Sequence, residues 1–174
     1  MEAGIEGAIH ATHLQWAQHS HKEDWGFLLI DARNAFNEDN RTAMLWAVQH
    51  EWPGGAQFTF SCYRHWNTLM VRHNADGSGH FLHSKEGVTQ GGPLAMIAYG
   101  IGVLPLIRDP QERPVGAGSK FEDAMAHFRD LQLRSPARGN FPEPTKSILV
   151  VAEQNVPRAK EYFRGIGIQV VTGI

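Results

Sequence analysis

The chain of 174 residues holds a single cysteine, Cys62, so no internal disulfide can staple it. It has no excess of one charge: 16 Lys and Arg stand against 18 Asp and Glu, a formal net charge of −2. That balance excludes the whole-chain basic field by which composition alone announces a nucleic-acid binder, so such a site has to be local. Long hydrophobic runs are missing too. The longest, Leu94 to Ile107, covers about 14 residues with two glycines and a proline, short of the roughly 20 that a spanning helix requires, and no membrane partner is expected. The start MEAGIEGAIHA has no basic segment followed by an apolar one, and an intracellular compartment is expected. There is no internal repeat and no low-complexity tract. What is present is core material: 42% hydrophobic and 10% aromatic residues in a length suited to one ordinary domain.

Periodicity along the chain predicts a mixed order of helices and strands. Ile5, Ile9, Thr12, Leu14 and Trp16 recur near helical spacing until HSHKED breaks the pattern. The run WGFLLI reads as a buried strand that delivers Asp31 at its C-terminal end. Asn34 or Asn37 can cap the helix that follows, with Met44, Leu45 and Val48 inward, until WPGG stops it. Residues 57–71 fit a hairpin strand before the turn HNADGSGH, or a helix over Phe58 to Met70. After the glycine-rich GVTQGGPL, Pro93 suits the first turn of an apolar helix to about Ile107. Phe121, Met125, Phe128 and Leu131 step through another helix. SILVV is a strand, VPRAKEYFRGIG a short helix with Gly165 near its C-cap, and IQVV a last strand. The fold class is α+β.

Three motifs carry chemistry: DARNAFN at the end of an apolar strand, then GVTQGGPL, then EPTKSILVV. Their order resembles that of reverse transcriptases, and the chain is similar to a fragment of the fingers and palm of a non-LTR retrotransposon enzyme. The resemblance covers nearly the whole chain, with residues 1–25 as a fingers-like helix and 26–174 as palm, a reduced βαββαβ-type sheet covered by helices. It implies RNA-templated DNA synthesis by two-metal nucleotidyl transfer, with an RNA template, a DNA primer and dNTPs as partners and Mg2+ as cofactor. On this resemblance Asp31 matches the first metal-binding carboxylate. Phe36 matches the aromatic beneath the incoming sugar. Gln90 and Gly91 match the residues that approach the incoming nucleotide, where glycine keeps a side chain out of the contact. Lys146 matches the basic residue proposed to steer or protonate pyrophosphate. Without the resemblance, a strand-end Asp is a turn residue, QGGP a turn before a helix, Phe36 a core ring and Lys146 a solvated cation.

The family places a Tyr-x-Asp-Asp hairpin between the second and third motifs, and this chain has none. Its aspartates are Asp24, Asp31, Asp39, Asp76, Asp109, Asp123 and Asp130, no two adjacent. The sequence reads as though that segment were excised between Pro114 and Gly116, which leaves the Phe27 to Ile30 and Ser147 to Val151 strands as the main partners. Loss of those carboxylates implies an inactive palm. The competing class is a non-enzymatic nucleic-acid-binding remnant that uses YRHW, Arg72, Lys85, Arg134 and Arg138. A zinc reading of His10 and His13 lacks the accompanying HExxH or cysteine pair. GAGSK lacks the spacing of a phosphate-binding loop.

Overall fold

The computed structural model describes residues 4–73, 77–108 and 118–173. The expected excision between Pro114 and Gly116 lies outside them, as do Asp76 and Asp109. In chain order the elements are α1 (Gly4–His19), β1 (Trp25–Leu29), β2 (Ala32–Arg33), α2 (Ala35–Glu38), α3 (Arg41–Glu51), α4 (Pro53–Tyr63), β3 (Asn67–Arg72), β4 (Gly79–Ser84), α5 (Ala95–Arg108), β5 (Ser119–Lys120), α6 (Phe121–Arg134), β6 (Phe141–Pro142), β7 (Ile148–Val151), α7 (Val156–Tyr162) and β8 (Gln169–Thr172). The chain is mixed α and β. It forms two compact units, the first from residues 1–32, 112–133 and 142–174, the second from 33–111 and 134–141.

The first unit is built on a sheet that, among the described residues, runs β5-β1-β7-β8. Strand β1 pairs antiparallel with β7, Gly26 opposite Val151 and Leu29 opposite Ile148. The sequence reading left two main strands. Two more join them: Ser119–Lys120 adds to β1, and Gln169–Thr172 pairs in parallel with β7. A parallel partner is reached through the α7 crossover, so no local turn signal announces it. Glycine is required at position 26, because a Cβ there would lie 2.7 Å from the Val150 carbonyl oxygen.

Side-chain alternation splits the sheet into two faces. Leu28, Ile30, Leu149, Val151 and Val170 pack with Phe121, Met125 and Phe128 of α6 and with Ala159, Phe163 and Ile168. The 121/125/128 helical spacing read from sequence is therefore the inward face of α6. On the opposite face Trp25 and Phe27 meet Trp16 of α1, with ring centroids 4.9 to 6.0 Å apart. Helix α1 forms as predicted, but Ile9 and Leu14 are exposed. The half-buried positions are Thr12, Gln15, Trp16 and His19. These four share a stripe at true helical spacing, whereas Ile9 and Leu14 are five residues apart and do not.

The second unit packs Met44 and Val48 of α3, Ala56 and Tyr63 of α4, Val88, and Ala95 and Ala98 of α5 into one core, with Phe36, Leu45, Tyr99 and Ile101 at its edge. Asn40 caps α3, its Oδ1 accepting from Ala43 N at 2.9 Å. Neither Asn34 nor Asn37 does so: Asn34 is left-handed at φ 47° and starts only the single turn α2. WPGG ends α3 at Glu51 and immediately starts α4, with Pro53 in its first turn, where the missing N–H costs nothing. Residues 57–71 divide between the two readings: helix to Tyr63, then strand from Asn67, paired in register with β4 from Asn67–Ser84 to Arg72–Gly79.

Candidate functional site

Asp31 and Lys146 stand at one end of the first unit's sheet, and a ring of hydrogen bonds fixes that end. Asp31 N donates to Ser147 Oγ at 3.1 Å, Ser147 Oγ donates to the Glu143 carbonyl at 2.8 Å, and Glu143 N donates to the Asp31 carbonyl at 2.8 Å. Ser147 is fully buried. Lys146 ends the short 3-10 turn Pro144–Lys146 just before β7, and the Asp31 and Lys146 side chains are both exposed. The antiparallel register, ending at Leu29 with Ile148, carries both residues to the same edge. The three hydrogen bonds thus hold the backbone from which the exposed Asp31 and Lys146 side chains project.

Phe36, Gln90 and Gly91 belong to the second unit. The Phe36 carbonyl accepts from Val88 N at 2.6 Å, so the helix start after Asp31 and the glycine turn are brought together. The Phe36 ring lies 5.0 Å from that of Tyr99 and is half-buried at the core's edge. Thr89 to Gly92 forms a turn closed by Gly92 N to the Thr89 carbonyl at 2.9 Å. Gly91 sits at its tip with φ 84°, a conformation that disfavours any residue with a Cβ. A Cβ on Gly91 would meet no atom within 4 Å, which leaves open space above the turn. Gln90 is exposed beside it.

The described residues do not supply a two-metal donor set. No group of three or more His, Cys, Asp or Glu among them is placed to hold a metal ion. Asp31 therefore offers one carboxylate, where Mg2+ draws on one or two protein carboxylates together with substrate phosphates, and a second ion needs further ligands.

A buried polar cluster in the second unit is centred on Asp39 and Arg41, which the sequence reading did not single out, and includes Arg138, which it took for a phosphate contact. Arg41 is 6% exposed. Its Nε donates to the Gly87 carbonyl at 2.7 Å, Nη1 to the carbonyls of His65 and Ser84 at 3.2 and 3.0 Å, and Nη2 to Ser84 Oγ at 2.9 Å. Arg41 N donates to Glu86 Oε2 at 3.0 Å. One guanidinium thus holds both feet of the β3–β4 hairpin and the entry to the glycine turn. Asp39 is 1% exposed, and its Oδ2 is buried with no hydrogen-bond partner. Burial, then the nearby Glu86 carboxylate, push its pKa up to about 7, against the opposing pull of Arg138. Arg138 Nη1 donates to the Gly102 carbonyl at 3.3 Å, and Asn140 Nδ2 to Tyr99 Oη at 2.7 Å. The signal for Arg41 was in the sequence: it lies three residues before Met44 and seven before Val48, on the inward face of α3.

No family model matches the chain, and no curated protein matches it.

Proposed function

We propose that this chain is a palm-type reverse transcriptase domain of non-LTR retroelement descent that does not by itself extend a primer. The observation that carries the reading is the joint placement of Asp31 and Lys146 at one sheet end, pinned through Ser147 and Glu143. It is supported by the order of strand-end carboxylate, helix-start aromatic, glutamine-glycine turn and lysine before a strand. It is further supported by β1 lying between β7 and β5, the strand just past the site of the missing hairpin. On this reading Lys146 of the first unit is the phosphate-steering cation and Asp31 the one retained metal-type carboxylate, and within the second unit Phe36, Gln90 and Gly91 keep the family's nucleotide-facing positions. With one carboxylate in place of a full metal-binding set, no catalytic step is assigned to Mg2+.

Phosphoryl transfer depends on positioning and charge stabilisation, and one electrostatic group is worth ~100- to 1,000-fold. The purified chain, given an RNA template, a DNA primer, four dNTPs and Mg2+ or Mn2+, is therefore expected to extend no primer. Extension that disappears in Asp31→Ala would overturn the inactive assignment. Sequencing the transcript across the codons for Pro114 to Gly116 tests descent: an intact transcript with an intervening Tyr-x-Asp-Asp segment would restore the polymerase reading, and a contiguous one supports the degenerate domain.

A further inference from the structure

Helix α1 covers the face of the first unit's sheet opposite α6 only in part. Its Trp16 ring lies 6.0 Å from that of Trp25 and 5.9 Å from that of Phe27, close to parallel with the latter at 20°. The same ring is held from another side by the backbone after β8, since a Cβ on Gly173 would overlap it. One turn earlier the helix offers only Thr12, a short side chain whose hydroxyl donates back to the Ala8 carbonyl at 2.9 Å. On the sheet, Leu29 shares the face of Phe27 by strand alternation, and Val150 shares it by standing opposite Phe27 in the register. No large side chain of α1 fills the space between them. A cavity of about 220 Å3 results, lined by Thr12, His13, Trp16, Phe27, Leu29 and Val150. All six belong to the first unit.

Size and chemistry identify the occupant. A cavity of ~150 Å3 lined by Leu, Ile and Phe is enough to take up benzene. Pockets for drug-sized ligands run to roughly 300–1,000 Å3, so this one has room for one or two fused rings and not for a long acyl chain. Its lining has no Asp, Glu, Lys or Arg, and a formal charge inside it would lose water without gaining a partner. The near-parallel Trp16 and Phe27 rings favour a flat aromatic guest over an aliphatic one of the same size. Phe27 is 4% exposed and Leu29 57%, which puts the floor at the ring and the mouth at the strand end. His13, exposed on the helix side, brings ring nitrogens that can meet one N–H or O–H of the guest.

We propose that this cavity is a binding site for a small neutral aromatic molecule of one or two rings, stacked on Trp16 and Phe27 and hydrogen-bonded at its rim to His13. The bound ring completes the contact between α1 and the sheet, so occupancy stabilises the first unit. The inference stands on that unit's geometry and is independent of the polymerase reading.

The test is titration of the full chain with indole, followed by calorimetry and by amide chemical shifts in NMR. Its dissociation constant is expected on the order of 0.1–1 mM. The largest shift changes should fall at residues 12, 13, 16, 27, 29 and 150. Cyclohexanol should bind several-fold more weakly, and benzoate and dodecanoate should not compete. Indene, which has the same rings without the N–H, should bind more weakly than indole, and His13→Leu should erase that preference. Trp16→Leu is expected to weaken indole binding about fivefold. Because Trp16→Leu also removes packing around Trp25, Leu29→Trp provides a variant at an exposed position: its larger ring should fill the cavity and weaken binding about tenfold, with unchanged circular dichroism. No indole binding at several millimolar, shift changes centred on the exposed rings of the second unit, equal binding of cyclohexanol or dodecanoate, or full affinity in the folded Leu29→Trp variant would each overturn the proposal.

Discussion

Arg41 and Ser84, 43 residues apart, are joined by two hydrogen bonds from one guanidinium: Nη1 to the Ser84 carbonyl at 3.0 Å and Nη2 to its Oγ at 2.9 Å. A two-stranded hairpin is marginal in isolation, and this clamp ties β3–β4 to α3 of its unit. Removing the guanidinium leaves the carbonyls of His65, Ser84 and Gly87 without that donor, at ~1–3 kcal/mol for each that stays buried. Arg41→Met is expected to lower unfolding stability in urea by roughly 3 kcal/mol. It should also speed amide exchange across residues 67–84 more than in β1 or β7. Unchanged exchange in the hairpin would remove Arg41 as its anchor.

Asp39 makes stability depend on pH in an unusual direction. Its pKa rises from 3.8 to about 7 on folding, so between those values the folded state binds the extra proton. Its contribution to stability is therefore fully present below pH ~4, declines as pH rises and is lost above about 7, a change on the order of a few kcal/mol. Asp39→Asn mimics the protonated carboxyl. Denaturation of the variant across pH 4 to 8 should show a smaller decline than the parent and greater stability at pH 8. A parent whose decline matches the variant's would contradict the role of Asp39.

Two glycines with similar backbone angles should respond very differently to alanine. Gly139 has φ 72°, and a Cβ there would overlap the Glu38 carbonyl oxygen at the end of α2 and approach N of Asn40, the α3 cap, to 2.6 Å, both of them backbone atoms. Gly91 has φ 84° and open space around the same position. Gly91→Ala should cost ~1–2 kcal/mol for the left-handed conformation alone. Gly139→Ala should exceed ~4 kcal/mol or prevent folding. Thermal melts of the two variants compare them directly.

Ser147 bonds to both sides of the Asp31 sheet end. Ser147→Ala removes a buried hydroxyl that donates to Glu143 and accepts from Asp31 N, at an expected cost of ~1–3 kcal/mol. Backbone amide shifts in an NMR spectrum should change most at Asp31 and Glu143. Changes confined to β8, with Asp31 unmoved, would show that the ring does not position the carboxylate.

Much of the local structure was legible because it depends on local periodicity. The 121/125/128 spacing placed the inward face of α6, and WGFLLI placed β1 with Asp31 just beyond its end. Where the reading departed from the structure, competing local signals were nearly equal. Asn34, Asn37 and Asn40 are all good caps, and only the chain geometry around α2 and α3 selects Asn40. WPGG carries both a stop and a start, since proline ends one helix and suits the first turn of the next. Among the site residues, Asp31 and Lys146 prove to share a sheet end. Asp39 and Arg41 lie between Phe36 and Met44 in the same stretch of sequence, but were not singled out.

The sequence by itself determined the alternation of helices and strands, the local charge and aromatic content of residues 64–85, and the absence of paired aspartates. Each is a property of residue type and short-range spacing, which backbone sterics and side-chain period translate directly into structure. Only the tertiary structure decided that Arg41 reaches His65, Ser84 and Gly87, that β8 completes the sheet beside β7, and that Asp39 loses its water. Those outcomes depend on which distant segments meet. Closing a loop costs entropy that grows only slowly with its length, so spacing along the chain barely distinguishes one partner from another. Packing and hydrogen-bond satisfaction in the assembled core make the choice.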